Sequence, residues 1–257
     1  MSVSELSDAA FVLFVIPGSD WESPYFLENS CVFAGVFDCI SFIIFRNMNK
    51  FTFCGFLCAL CFIIACGDGL IEQNAVDPST VIAGSLTDSR DGQIYKTVTI
   101  GTQTWMAQNL NYETVNSYCY RDSASYCTKY GRLYTWAAAT SACPSGWHLP
   151  TQTEWNTLFA AVGGSSTAGT KLKSTTGWNS SGNSVSGTDA YSFSALPAGY
   201  RGYNWGYYYG GYYADFWSST EDYYDYAYHM SLDYNYDNAF LYSYYKYYGF
   251  SVRCVKD

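Results

Sequence analysis

The apolar and polar positions divide the chain into two unlike parts that meet near Cys66. Phe51 to Ala65 runs without a charge and without a recurring polar face, whereas the chain after Cys66 sets short apolar clusters among Gly, Ser, Thr and Asn. Gln93-Ile94-Tyr95-Lys96-Thr97-Val98-Thr99-Ile100 alternates with the period of a strand. Gly101-Thr102 then supplies a turn and Gln103 to Ala107 runs back, which predicts a β-hairpin. Thr151 to Val162 is predicted to be a helix: Thr151 and Glu154 have capping-box spacing, Trp155, Leu158, Phe159 and Val162 form one stripe, and Gly163-Gly164 ends it. A second, short helix is expected over Gly131 to Ala139, a polar loop between Cys119 and Cys127, and long loops over 163–189. Short strands are expected at Tyr191 to Leu196, Phe216 to Ser218, Tyr226 to Leu232 and Phe250 to Val255. The predicted class is α+β, with short helices, small antiparallel sheets and much ordered loop.

The uncharged run has a separate meaning. Arg46-Asn47-Met48-Asn49-Lys50 is a short basic stretch, and the ~15 apolar residues after it are too few for a membrane-crossing helix, which needs about 20. A secretory signal over 48–65 is the reading that fits. Ile63-Ile64-Ala65-Cys66 resembles a bacterial lipobox, which predicts that Cys66 carries diacylglycerol and becomes the mature N-terminus. The plain alternative is a core helix that happens to hold cysteines, but no polar face recurs and Gly67-Asp68-Gly69 breaks the run at once. Residues 1–47, apolar in patches, are read as an over-extended start, with Met48 the initiator. Residues 66–85 show no period and are expected to form a tether.

From Cys66 onward there are 192 residues, enough for one core. They hold eleven Lys and Arg against sixteen Asp and Glu, a net charge of about −5. An acidic chain without a basic patch is a poor partner for nucleic acid, whose phosphates dominate affinity. Four cysteines follow the anchor, Cys119, Cys127, Cys143 and Cys254, and in an exported protein they predict two disulfides with three possible pairings. A short Cys119–Cys127 bridge with a long Cys143–Cys254 bridge is the preferred set. These four show no C-x-x-C spacing and His148 and His229 are the only histidines, so zinc is not expected.

Seven blocks recur in a known order: Asp91-Gly92-Gln93-Ile94-Tyr95-Lys96, Thr104 to Tyr112 (TWMAQNLNY), Tyr130 to Trp136 (YGRLYTW), Cys143 to Thr151 (CPSGWHLPT), Leu196 to Arg201 (LPAGYR), Phe216 to Glu221 (FWSSTE) and Gly249 to Cys254 (GFSVRC). Together they resemble the Fibrobacter succinogenes major paralogous domain family over roughly 86–257. The resemblance implies a C-type-lectin-like fold close to the formylglycine-generating enzymes, borne by a surface lipoprotein of the cell envelope, with the outer membrane as its expected place. Trp105, Trp136, Trp147 and Trp217 within the blocks are suited to a loop-rich core, each burying up to roughly 150–250 Å².

Between Tyr200 and Tyr248 stand 18 of the 27 tyrosines, interspersed with Gly, Asp, Asn and Ser. Neighbours in an extended chain point to opposite sides, so a Tyr-Tyr pair cannot place both rings in one core. Tyrosine offers a broad rigid face and a hydroxyl with only two torsions to freeze, which suits recognition. The residues predicted to bind are Tyr203, Trp205, Tyr207, Tyr208, Tyr209, Tyr212, Tyr213, Tyr223, Tyr224, Asp225, Tyr226, Tyr242, Tyr244, Tyr245, Tyr247 and Tyr248. The expected partner is a polysaccharide or a protein on another cell. Self-association of a structural envelope protein is the alternative use of such a surface. Where members of the resembled family carry many Asn, this chain carries Tyr. That departure is similar to the exchange in lectin-fold proteins diversified by adenine-directed mutagenesis.

Catalytic signatures are missing. The enzymatic relatives implied by the resemblance use a reactive cysteine pair near the C-terminus, and Cys254 stands alone there. His148, within Gly-Trp-His-Leu-Pro, reads as a packed structural residue, and neither a phosphate loop nor G-x-S-x-G is present. Glu221-Asp222 and Asp233 with Asp237 read as acidic turns. Calcium is the one ion that they suggest, without EF-hand spacing. No cofactor is expected.

Overall fold

A computed structural model describes residues 75–257; the predicted signal, Cys66 and residues 1–47 lie outside the described residues. A five-stranded antiparallel sheet comes first, in the order β1 (Ile82–Thr87), β2 (Ile94–Ile100), β3 (Gln103–Met106), β12 (Val255–Lys256) and β6 (Trp147–His148). The β2–β3 hairpin forms as the alternation predicts, with Val98 opposite Trp105 and the turn at Gly101, φ 61°. Strand β1 is a correction, because it lies partly inside the expected tether. It pairs from Ile82 opposite Thr99 to Thr87 opposite Ile94, yet buries almost none of its side chains, so no apolar alternation marks it. The chain is fastened earlier still: Val76 N donates to the Ala161 carbonyl at 2.7 Å, and the Tyr191 hydroxyl donates to the Val76 carbonyl at 2.8 Å.

Helices α1 (Ala124–Tyr130), α2 (Trp136–Ala139), α3 (Gln152–Ala161) and α4 (Ser165–Leu172) surround that sheet's connections. In α3 both halves of the capping box form, Glu154 N donating to Thr151 Oγ1 and Thr151 N to Glu154 Oε2, and all four stripe residues are buried. Three expectations are corrected here. The polar loop of Cys119–Cys127 holds a 3-10 turn at Tyr120–Asp122 and most of α1. Gly131 to Ala139 is helical only in α2. Leu133–Tyr134 is instead strand β5, pulled extended by pairing with β4 (Ser117–Tyr118) and by mutual hydrogen bonds between Tyr134 and Phe250. Within 163–189 lies α4, invisible to propensity because its sequence is Ser165-Ser-Thr-Ala-Gly-Thr-Lys-Leu172; packing of Ala168, Gly169 and Leu172 holds it.

A three-stranded sheet, β11 (Ala239–Tyr245), β10 (Tyr226–Asp233) and β9 (Tyr213–Tyr223), lies over α3, and β7 (Tyr200–Arg201) pairs with β8 (Tyr207–Tyr208) beside it. β9 is much longer than the predicted Phe216 to Ser218. The strand expected at 191–196 shrinks to a bridge at Ala195, because Ser192 and Ser194 take positive φ, at 55° and 53°, and the one expected at 250–255 is reduced to bridges at Phe250 and Ser251 and the short β12. The first core gathers Trp105, Trp155, Phe193 and Phe216; the second gathers Tyr134, Trp217, Tyr248, Phe250 and Cys254. Trp136 and Trp147 are half-buried against the second. Arg253 is fully buried and donates to Asn109 Oδ1 at 2.7 Å and to the carbonyls of Met106, Phe193 and Ser194. Both preferred disulfides form, with Cα separations of 4.9 Å for Cys119–Cys127 and 5.9 Å for Cys143–Cys254. The fold is α+β.

Candidate functional site

Alternation along the three-stranded sheet builds the site. Ala214, Phe216, Met230, Leu232 and Ala239 point into the first core. The residues between them, Tyr213, Asp215 and Trp217 on β9, His229 and Ser231 on β10, and Tyr242 and Tyr244 on β11, occupy the opposite face. Register sets Asp215 across from Ser231 and His229 across from both Trp217 and Tyr242. Tyr200, Tyr209 and Phe250 close the other side, leaving a cleft of about 450 Å³, within the roughly 300–1,000 Å³ of small-ligand sites. Its rings brace one another: Tyr209 stands 5.1 Å from Tyr213 at 86°, and Tyr200 6.0 Å from Phe250 at 87°.

The polar groups of the cleft are deeply placed. Asp215 is buried, and burial pushes its carboxyl up to about 7, against a lowering contribution from Ser231. Burial holds the His229 imidazole down to about 3, only partly offset by the Tyr242 backbone, and Nδ1 makes no hydrogen bond of full geometry. His229 Nε2 lies 3.7 Å from Asp215 Oδ1, beyond a hydrogen bond. Between about pH 3 and 7 both groups are therefore neutral. The arrangement can accept and donate hydrogen bonds and stack on flat or cationic groups. It lacks an aligned nucleophile and base.

The family model described as the Fibrobacter succinogenes major domain matches residues 98–256. The chain belongs to this family. No curated protein and no solved structure matches it. In this member of the Fibrobacter succinogenes major domain family, Phe250, Arg253 and Cys254 all come from the Gly249 to Cys254 block, which thus supplies one cleft wall and two core ties.

Of the predicted binding residues, Tyr209, Tyr213, Tyr242 and Tyr244 line the cleft. Tyr203 and Trp205 are exposed in the connection between β7 and β8, outside the cleft lining, and the Arg201 guanidinium lies 4.5 Å from the Trp205 ring and 3.7 Å from that of Tyr118. Tyr207, Tyr208 and Tyr212 are half-buried braces. The Tyr207 hydroxyl donates to Asp122 and that of Tyr208 to Asn204, and Tyr212 packs on Tyr234. Tyr223, Tyr224, Asp225, Tyr226, Tyr245 and Tyr247 form a separate patch at the β9–β10 hairpin tip, with Tyr226 4.3 Å from Tyr245. Tyr248 is corrected: at 6 % exposure it belongs to the second core, against Tyr244 and Phe250. The predicted set lacks Tyr200, Asp215, His229, Ser231, Ser243 and Phe250, which also line the cleft. The available signal was a lone carboxylate, Asp215, set among Ala214, Phe216 and Trp217.

His148 is held between Glu154, at 2.7 Å, and Asp257, at 2.6 Å, away from the cleft. Among the described residues no three His, Cys, Asp or Glu side chains gather in a way that could hold a metal ion, and no helix is long and apolar enough to cross a membrane.

Proposed function

We propose that the protein is a lipid-anchored envelope protein, tethered through Cys66, whose tyrosine-lined cleft binds a polysaccharide at the cell surface. The single observation that carries the reading is the cleft itself: Tyr213, Tyr242 and Tyr244 on the sheet face, with Tyr200 and Tyr209 closing the other side, surround a buried polar floor. Flat rings pack against the apolar faces of sugars, while Asp215, Ser231 and Ser243 are available to hydroxyls. Cys254 is bridged and fully buried, which favours binding over chemistry of the formylglycine-generating kind. The test is a glycan array probed with the full chain and with Tyr209→Ala and Tyr242→Ala. Binding that both substitutions abolish supports the reading, and unchanged binding refutes the cleft as its seat. Labelling with an alkynyl fatty acid, lost in Cys66→Ser, tests the anchor.

The hairpin tip favours a second use. Tyr223 and Tyr224 are 76 % and 84 % exposed, an apolar surface suited to pairing between copies. Light scattering at rising concentration, with Tyr223→Ser/Tyr224→Ser as control, separates the two.

A further inference from the structure

The lining of the cleft has a one-sided charge. Neither Lys nor Arg reaches it, and its one carboxyl, Asp215, is buried at its floor with no cation paired to it. A second carboxylate, Asp233, lies close to Tyr213 on the wall. The walls are electron-rich rings packed edge to face on their neighbours, Tyr209 on Tyr213 at 86° and Tyr200 on Phe250 at 87°. His229, buried in the lining, stands 4.7 Å from Phe250 and 6.0 Å from Tyr244, and burial keeps it uncharged. Aromatic walls that share a cleft with a carboxyl attract a cation, because ring faces carry partial negative charge and act within about 6 Å. The same enclosure repels an anion and gives a neutral hydroxyl far less.

We infer that the group seated in this cleft is a cationic amine, carried by an amino sugar of the bound polysaccharide. The inference rests on the polysaccharide reading above and narrows it. Asp215 is the anchor, releasing its proton to solvent when the ammonium enters, and Tyr209, Tyr213 and Tyr242 form the surrounding rings. Groups facing Asp215 are Tyr213 on β9, His229, Ser231 and Asp233 on β10, Tyr244 on β11 and Tyr200 on β7. With His229 neutral, none of them supplies a competing positive charge.

Titration calorimetry on the full chain tests this with two pairs of probes. Glucosamine oligomers, bearing free amines, are compared with their N-acetylated counterparts, and choline is compared with its neutral isostere 3,3-dimethylbutan-1-ol. The expected result is at least a tenfold preference for the charged member of each pair. Asp215→Asn should abolish the preference, and so should Tyr242→Leu, at a half-exposed ring, with unchanged circular dichroism showing that the variant is folded. Choline keeps its charge at every pH, so its affinity should rise severalfold between pH 6 and 8 as Asp215 ionises, and stay level in Asp215→Asn. Equal binding of both oligomers, lost in Tyr242→Leu, overturns the cation while leaving the polysaccharide reading intact. Choline bound but neither oligomer bound overturns the sugar as its carrier. No binding of any probe overturns this inference, while a positive glycan array would still uphold the polysaccharide reading.

Discussion

Replacing each disulfide separately gives a sharp test of the architecture. The two bridges enclose very different lengths of chain, 8 residues for Cys119–Cys127 and 111 for Cys143–Cys254. In the chain-entropy model the short loop stabilises by about 2.5 kcal/mol and the long one by about 5 kcal/mol. Packing adds to the difference, because Cys254 is fully buried in the second core, and truncating it leaves a small void worth roughly 1 kcal/mol. Cys143→Ala/Cys254→Ala should thus lose at least about 2 kcal/mol more than Cys119→Ala/Cys127→Ala, roughly thirtyfold in the unfolding equilibrium. Urea titration followed by tryptophan fluorescence measures both, and an unchanged m-value shows that the same surface is exposed. Loss of both bridges should remove about 7 kcal/mol, comparable with the whole stability of an ordinary domain, so the reduced protein should be largely unfolded. An equal or smaller loss for the long bridge would refute the reasoning, and would mean that the chain between Cys143 and Cys254 is already confined when unfolded.

Four further outcomes are expected. Arg253→Met strands Asn109 Oδ1 and three carbonyls in the core and should cost at least about 3 kcal/mol, with Arg253→Lys failing to rescue because an ammonium cannot span the same acceptors; urea midpoints decide it. Asp215 has a folded-state pKa of about 7, above its unfolded value near 3.8. Its contribution is therefore present below about pH 4 and lost as pH rises to 7, by up to about 4 kcal/mol. Melting temperatures from pH 5 to 8 should fall in the native protein relative to Asp215→Asn, and parallel curves would sink the assignment. His229 works in the opposite sense, its contribution present above about pH 6.5 and lost as pH falls towards 3, so the native stability peaks between the two. Gly169→Ala places a Cβ 2.3 Å from the Asn238 carbonyl, where backbone cannot yield, and should cost about 2–3 kcal/mol by thermal unfolding.

The parts of the fold legible in the chain are those with a local cause. Helix α3 is readable because Thr151, Glu154 and its four apolar residues all say the same thing, and the β2–β3 hairpin because alternation and turn coincide. Helix α4 was not, because Gly169 is there to let the carbonyls of Asp237 and Asn238 approach, a demand made by a segment almost 70 residues away. Strand β1 escaped because backbone pairing, not side-chain burial, holds it. At the site, the wealth of tyrosine was plain but its orientation was not. Which rings look outward depends on register in the β9–β10 hairpin, and the register shifts twice, between Tyr226 and Ala227 and between Ala227 and His229. Those shifts bring His229 diagonally beside Asp215, a neighbourhood that counting in twos from the turn does not produce.

The early fastening of the chain at Val76 sets the leash of the whole molecule. Cys66 and Val76 are ten residues apart, so the lipid proposed for Cys66 would hold that point within roughly 35 Å of the bilayer even with the chain drawn straight. On that proposal, a domain on so short a line would not search outward through a thick surface coat. It would meet what is already at the membrane, or what arrives there.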